Sequence, residues 1–173
     1  MNPFEFFIPQ NIIVGAGTLV RLPECAQKLG GTHAMLLSGP TLRKMGIVDK
    51  AAKYLEDAGM KVDIFTEIEA NPSVTTVEKA TTAFKEAGAD FIVALGGGSP
   101  MDVAKAVGVT AKYGGSITEY EGAHKVPGKI IPLIAIPTTA GTGSEVTAFS
   151  VITDHSRDYK LKVFSYELFP SYA

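Results

Sequence analysis

The sequence predicts an α/β fold, a doubly wound, mostly parallel sheet preceded by an N-terminal β-hairpin. Three observations predict it. From about residue 33 short apolar runs alternate with segments of helical period, the pattern of successive βαβ units. The apolar runs, such as residues 91–95, are short and unbroken, as strands buried on both faces should be. Gly59 and Gly88 fall where helical periods end, the position at which a left-handed residue commonly closes a helix.

The elements follow in order. Residues 4–14 hold two apolar runs interrupted by Pro9, Gln10 and Asn11, which predicts the hairpin, and residues 23–29 predict a helix with Pro23 in its first turn. Residues 34–37 predict a strand; Val48, Ala51, Ala52 and Leu55 then recur at helical spacing. Val62, Ile64 and Phe65 give a second strand, and Val74, Val77, Thr81 and Phe84 line one helix face. Residues 91–95 form the next strand, a helix runs from Ser99 to about Lys112, and residues 130–136 predict another buried strand. Residues 146–163 are polar and β-rich, which fits an antiparallel edge. The last five residues, 169–173, carry no helix and read as a cut in a connection, so the chain is taken as one domain, 1–173.

Composition narrows the partners. With 16 basic and 18 acidic residues and a net charge of −2, there is no basic patch for nucleic acid or an anionic membrane. The apolar runs fall far below the ~20 residues of a membrane helix. Residues 1–7 carry Glu5 and no basic cluster before an apolar run, so no secretory signal is expected and a cytoplasmic location is. Cys25 is the single cysteine; it reads as a small buried hydrophobe and excludes a disulfide framework or a cysteine metal site.

Two loops carry chemistry. The first, Gly96, Gly97, Gly98, Ser99, Pro100, Met101, Asp102, follows a buried strand and opens a helix. Three glycines remove every Cβ from the turn, so backbone N–H groups can approach an anion at a helix N-terminus. That suits a pyrophosphate. Ser99 as N-cap and Asp102 at the third helical position would form a capping box, which accounts for those two residues without a ligand but not for three glycines. Gly15, Ala16 and Gly17, with Val20 where a third glycine should stand, approach the dinucleotide fingerprint only weakly and read as a hairpin exit. The second loop, residues 137–147, presents Thr138, Thr139, Thr142, Ser144 and Thr147 among small spacers after another buried strand. Both loops would lie at the carboxyl ends of strands, where open α/β sheets bind ligands.

Together the loops resemble a known family. The segments GGGSPMDVAKA at 96–106 and IPTTAGTGSEVT at 136–147, with NPS at 71–73 and VITD at 151–154, resemble the iron-containing (group III) alcohol dehydrogenases from the N-terminal residues to the last. The resemblance implies an N-terminal Rossmann-like domain, and a C-terminal all-helical metal domain that these residues do not include. It implies that Gly96, Gly97, Gly98 and Ser99 hold the pyrophosphate of NAD or NADP, with Asp102 beside the cofactor. Thr138, Thr139 and Thr142 would meet the phosphates and adenosine side, and Asn71, Phe149, Val151 and Lys160 would border the cofactor or nicotinamide pocket. Hydride would pass between the nicotinamide and a small-molecule alcohol or aldehyde, while Fe2+ or Zn2+, held by one Asp and three His of the helical domain, polarises the oxygen.

No catalytic or metal-ligating residue is therefore expected within residues 1–173. His33, His124 and His155 stand apart, with no second His at helical spacing, and read as non-ligands. This chain alone is expected to be inactive, and self-association is expected because family members are oligomers. The family commonly has an Asp where this chain has Gly39, and Arg43 and Lys44 follow, so NADP is expected to be accepted at least as well as NAD. A dehydroquinate synthase-like lyase, a glycerol phosphate dehydrogenase and a non-catalytic nucleotide-binding fragment are the alternatives; against the lyase, the loop continues AGTGSEVT rather than with an Asp-Ser pair and a Lys.

Overall fold

The computed structural model describes residues 7–173. Its core is a four-stranded parallel sheet of β1 (His33–Ser38), β2 (Lys61–Phe65), β3 (Phe91–Gly96) and β5 (Leu133–Pro137), in the order β2-β1-β3-β5. Residues alternate faces along a strand, and both faces of β1 and β3 are apolar. Ala34, Leu36, Phe91, Val93 and Leu95 pack on one side with α1 (Leu22–Lys28) and α3 (Ile47–Asp57). Met35, Leu37, Ile92 and Ala94 pack on the other with α4 (Val74–Ala87) and α5 (Gly98–Tyr113). This is the doubly wound, Rossmann-like arrangement expected from the alternating pattern.

Local chemistry sets the helix ends. The Ser73 side chain accepts from Thr76 N at 3.2 Å at the start of α4, and Gly88 closes that helix at φ 70°. Gly59 lies just beyond α3 at φ 84°, as its placement predicts. A short helix α2 (Pro40–Lys44), too brief to leave a periodic signature, follows β1. Among the described residues no helix is long and apolar enough to cross a membrane.

Four expectations need correction. Residues 4–6 of the expected hairpin lie outside the described residues. Its second arm pairs elsewhere: Asn11 N donates to Ser171 O at 3.1 Å, Ala173 N to Asn11 O at 2.9 Å and Ile13 N to Ala173 O at 2.8 Å. The C-terminal residues thus lie between this arm and β5, where Ala135 N donates to Tyr172 O at 2.9 Å. Gly17, at φ 78°, starts a 3-10 turn over Thr18–Arg21 and is no hairpin exit. The strand expected from residue 130 begins at Leu133, because Ile131 N instead donates to Gly108 O of α5 at 3.2 Å. Gly108 permits that approach: a Cβ there would lie 2.9 Å from Ile130 Cδ1.

The polar C-terminal β region is not an edge of the main sheet. β6 (Phe149–Asp154) and β7 (Tyr159–Phe164) form an antiparallel pair, and with β4 (Gly122–Ala123) they make a second sheet in the order β4-β7-β6. Ile152, Leu161 and Val163 of this sheet join the same apolar cluster as α5, so α5 is enclosed by both sheets.

Phe91 is fully buried at the start of β3, so removing its ring leaves a cavity in the core that relaxation fills only in part. Phe91→Ala should lower unfolding free energy by about 3–5 kcal/mol in urea titration; a loss below about 1 kcal/mol would show the ring to be dispensable.

Candidate functional site

Strand order locates a crevice. From β1 the chain moves outward to β2, then crosses back beyond β1 to β3 and on to β5, so the connections diverge between β1 and β3. Ligands of open α/β sheets bind at such a switch point, at the carboxyl ends of the strands. Register aligns those ends: Ser38 is paired with Leu95 and Gly96 with Pro137, and the Ser38 hydroxyl donates to Leu95 O at 2.7 Å. Gly39, the glycine loop and Thr138 therefore leave the sheet side by side.

The loops meet. Thr138 N donates to Gly96 O at 2.9 Å. A Cβ on Gly97 would lie 3.3 Å from Thr139 Oγ1, and one on Gly98 would lie 3.5 Å from Thr142 Cβ. Gly96 is different, because at φ 153° its Cβ would press on the Pro100 ring at 2.7 Å. Only Gly96 is required by the turn itself.

The helix start departs from expectation. α5 begins at Gly98 with Gly97 as N-cap, in extended conformation at φ −84° and ψ −157°, and no side chain caps it. Ser99 is already inside the first turn and is no N-cap, because the Gly96 turn brings the chain into helical conformation one residue early. The Asp102 carboxylate consequently does not close a capping box. Its Oδ1 accepts from the Ser144 hydroxyl at 2.7 Å and its Oδ2 from Val151 N at 3.3 Å. Burial pushes the Asp102 carboxyl above its ordinary range, opposed by the Ser144 hydroxyl and by Lys105.

Lys105, one turn further along α5, is fully buried. Its Nζ donates to three backbone carbonyls, Ser144 O at 2.6 Å, Thr147 O at 2.8 Å and Phe149 O at 2.8 Å, and lies 3.2 Å from Ser144 Oγ. Burial pushes this ammonium down to about 8, against the pull of Asp102 and Glu145. Sequence reasoning missed Lys105. Its signal is a lysine among Val103, Ala104, Ala106 and Val107, on a helix too apolar to offer it a solvent face.

Asn71 and Lys160 come together, with Lys160 Nζ donating to Asn71 Oδ1 at 2.9 Å. Asn71 holds φ 54°, a left-handed conformation that Asn tolerates, and its carbonyl accepts from Thr153 Oγ1 at 3.2 Å. Phe149 is 45% exposed and stacks on Phe164 at 4.7 Å between centroids. Gly39 caps α2 in an extended conformation, and Arg43 is engaged by Asp49 at 3.1 Å. The histidines are scattered: His33 faces Asp63 at 2.7 Å, His124 lies edge-on to Phe164, and His155 is exposed in a turn.

A family model for iron-containing alcohol dehydrogenase matches residues 9–173. The chain belongs to that family. It is 36% identical over 169 residues, 98% of its length, to an NAD-dependent methanol dehydrogenase of Bacillus methanolicus, of which it spans 44%. A crystal structure of 1,3-propanediol oxidoreductase superposes with a TM-score of 0.94 at 36% identity, covering 99% of this chain and 45% of that one. Sulfoacetaldehyde reductase from Bifidobacterium kashiwanohense, solved in complex with NAD+, superposes at 0.91 with 33% identity, covering 100% of this chain and 46% of that one. The chain thus spans less than half the length of these relatives. The family name implies iron, yet among the described residues no three His, Cys, Asp or Glu side chains cluster to hold a metal, so these residues do not fit one.

The glycine loop separates two effects by substitution. Gly96→Ala should cost roughly 1–3 kcal/mol from the unfavourable φ and the Pro100 contact. Gly98→Ala, whose Cβ makes only ordinary contact with Thr142, should stay within about 0.5 kcal/mol. Equal thermal midpoints for the two variants would contradict this assignment.

Proposed function

We propose that this chain is the nicotinamide-dinucleotide-binding half of a metal-dependent alcohol dehydrogenase. The observation that carries the reading is the pair Gly97 and Gly98. Their missing side chains keep open the space between the helix N-terminus and Thr139 and Thr142, at the switch point of the sheet. Backbone N–H groups at 97–99 and the partial positive charge of a 16-residue helix face that space, which fits a pyrophosphate.

In this reading Thr138, Thr139 and Thr142 donate hydroxyls to the phosphates and adenosine side, and Asp102 lies beside the cofactor. Asn71, Phe149, Val151 and Lys160 border the cofactor or the nicotinamide pocket, and Lys160 and Asn71 already share a hydrogen bond. The nicotinamide, when bound, accepts or donates hydride with a small alcohol or aldehyde. Metal chemistry is assigned to none of the residues here. Self-association and a cytoplasmic location complete the proposal, in line with the family.

Gly97→Val places a branched side chain where a phosphate oxygen would approach, on a backbone conformation that Val can adopt. NAD+ affinity by calorimetry should fall at least tenfold while the circular dichroism spectrum is unchanged; undiminished affinity would reduce the loop to a turn.

Gly39 bears on the choice of nucleotide. A carboxylate after this strand would hydrogen-bond the adenosine ribose and repel a 2′-phosphate, and Gly39 offers neither. Arg43 is shared with Asp49, so Lys44 is the more available cation. We expect NADP+ to bind at least as tightly as NAD+, and Gly39→Asp to reverse the order. The substitution is sterically permitted, since a Cβ there lies 3.5 Å from Ile68 O. Negligible NADP+ binding by the wild-type chain would refute this reading.

A further inference from the structure

We propose that Lys105 is a positioning residue for the nucleotide site, an internal ammonium that gathers the carbonyls of residues 144–149 and so fixes the threonine loop against the glycine loop. The inference rests on the nucleotide reading above and names a residue to which that reading gives no role. Its basis is geometric. An ammonium has three N–H donors, and three carbonyls, of Ser144, Thr147 and Phe149, lie within 2.6–2.8 Å of Lys105 Nζ. All three belong to the segment that leaves the threonine loop and enters β6.

Asp102, one turn away on the same helix, grips that segment at two further points, the Ser144 hydroxyl and Val151 N. Ser150 Oγ adds a third by donating to Asp102 O at 2.8 Å. The helix whose N-terminus forms the cradle therefore holds the opposing loop by its second and third turns. The acidic groups facing the ammonium are Asp102 on α5 and Glu145 on the loop. A neutral amine has two N–H donors, so deprotonation leaves one of the three carbonyls without a partner. Because burial holds this lysine at about 8, the loss falls within an accessible pH range.

Two measurements on the full chain test the assignment. Amide hydrogen exchange of residues 138–149, corrected for the intrinsic pH dependence of exchange, reads the loop. Calorimetric titration with NAD+ reads the site. In Lys105→Met, loop exchange should rise at least tenfold while β3 amides keep their protection, and NAD+ affinity should fall at least tenfold. In the wild-type chain both changes should set in as pH rises from 7 to 9.5, whereas the affinity of Lys105→Met should be independent of pH over that range. Should Lys105→Met fail to fold, the wild-type pH series decides alone. Unchanged loop protection and affinity across that series, or a folded Lys105→Met that keeps both, overturns the role of Lys105. A wild-type chain that binds no NAD+ at pH 7 while its loop responds to pH instead overturns the nucleotide reading, and with it the positioning of that site.

Discussion

Helix α5 has a sheet on each side, and most of what surrounds the site is a consequence of that enclosure. The parallel sheet packs against it through Ile92, Ala94 and Ala135, and the smaller sheet through Ile152, Leu161 and Val163. A helix buried on all sides has no solvent face on which to place a polar residue. The polar groups on its enclosed middle must find their partners in the protein. Asp102, Lys105 and Thr110 do so in three different ways, by binding a loop, binding carbonyls, and bonding to Thr81 of α4 at 2.6 Å. The enclosure thus converts helix side chains into clamps on whatever lies opposite.

The clamp has a cost that can be given a sign. The folded-state value of Lys105, about 8, lies below its ordinary 10.5, so below pH 8 the native state carries a charge that burial opposes. The penalty is roughly 3 kcal/mol at neutral pH, and it is relieved as pH rises from 8 towards 10.5, where the unfolded chain binds the extra proton. An apolar side chain of similar volume would avoid the penalty but would strand three carbonyls. Local rules broken in this way tend to mark function, because packing alone offers no reason to break them.

Much of the fold was legible because its signals are local. The period of Val48, Ala51, Ala52 and Leu55, the stop at Gly59 and the unbroken run 91–95 each encode one element with little help from the rest. What failed depended on distant partners. The arm at 11–13 pairs with residues 171–173, a contact that no short window reveals, and Ile130 and Ile131 are captured by the bare backbone at Gly108. Within the site, the two loops and most of their residues stood out by composition. Asp102 fits a cap by its spacing from Ser99, whereas its actual partners at Ser144 and Val151 lie over 40 residues away in sequence. Lys105 escapes a reading of the sequence, because a single lysine in an apolar helix is normally drawn to its surface.

The two glycine clusters show why such a motif needs its geometry before it acquires a meaning. In the first, Gly17 sits at φ 78° and a Cβ there would meet nothing within 4 Å. Its glycine answers a conformational need, and the space around it is incidental. In the second, Gly96 answers the conformational need at φ 153°, which leaves Gly97 unexplained by the turn, since its extended backbone is open to any residue. What Gly97 and Gly98 share is a neighbour, a threonine of the opposing loop at 3.3 and 3.5 Å from where a Cβ would stand. A gap kept free of side chains between a helix N-terminus and two exposed threonines is a feature of shape and charge rather than of folding. That difference, more than the count of glycines, separates a glycine kept for the space beside it from one kept for a turn.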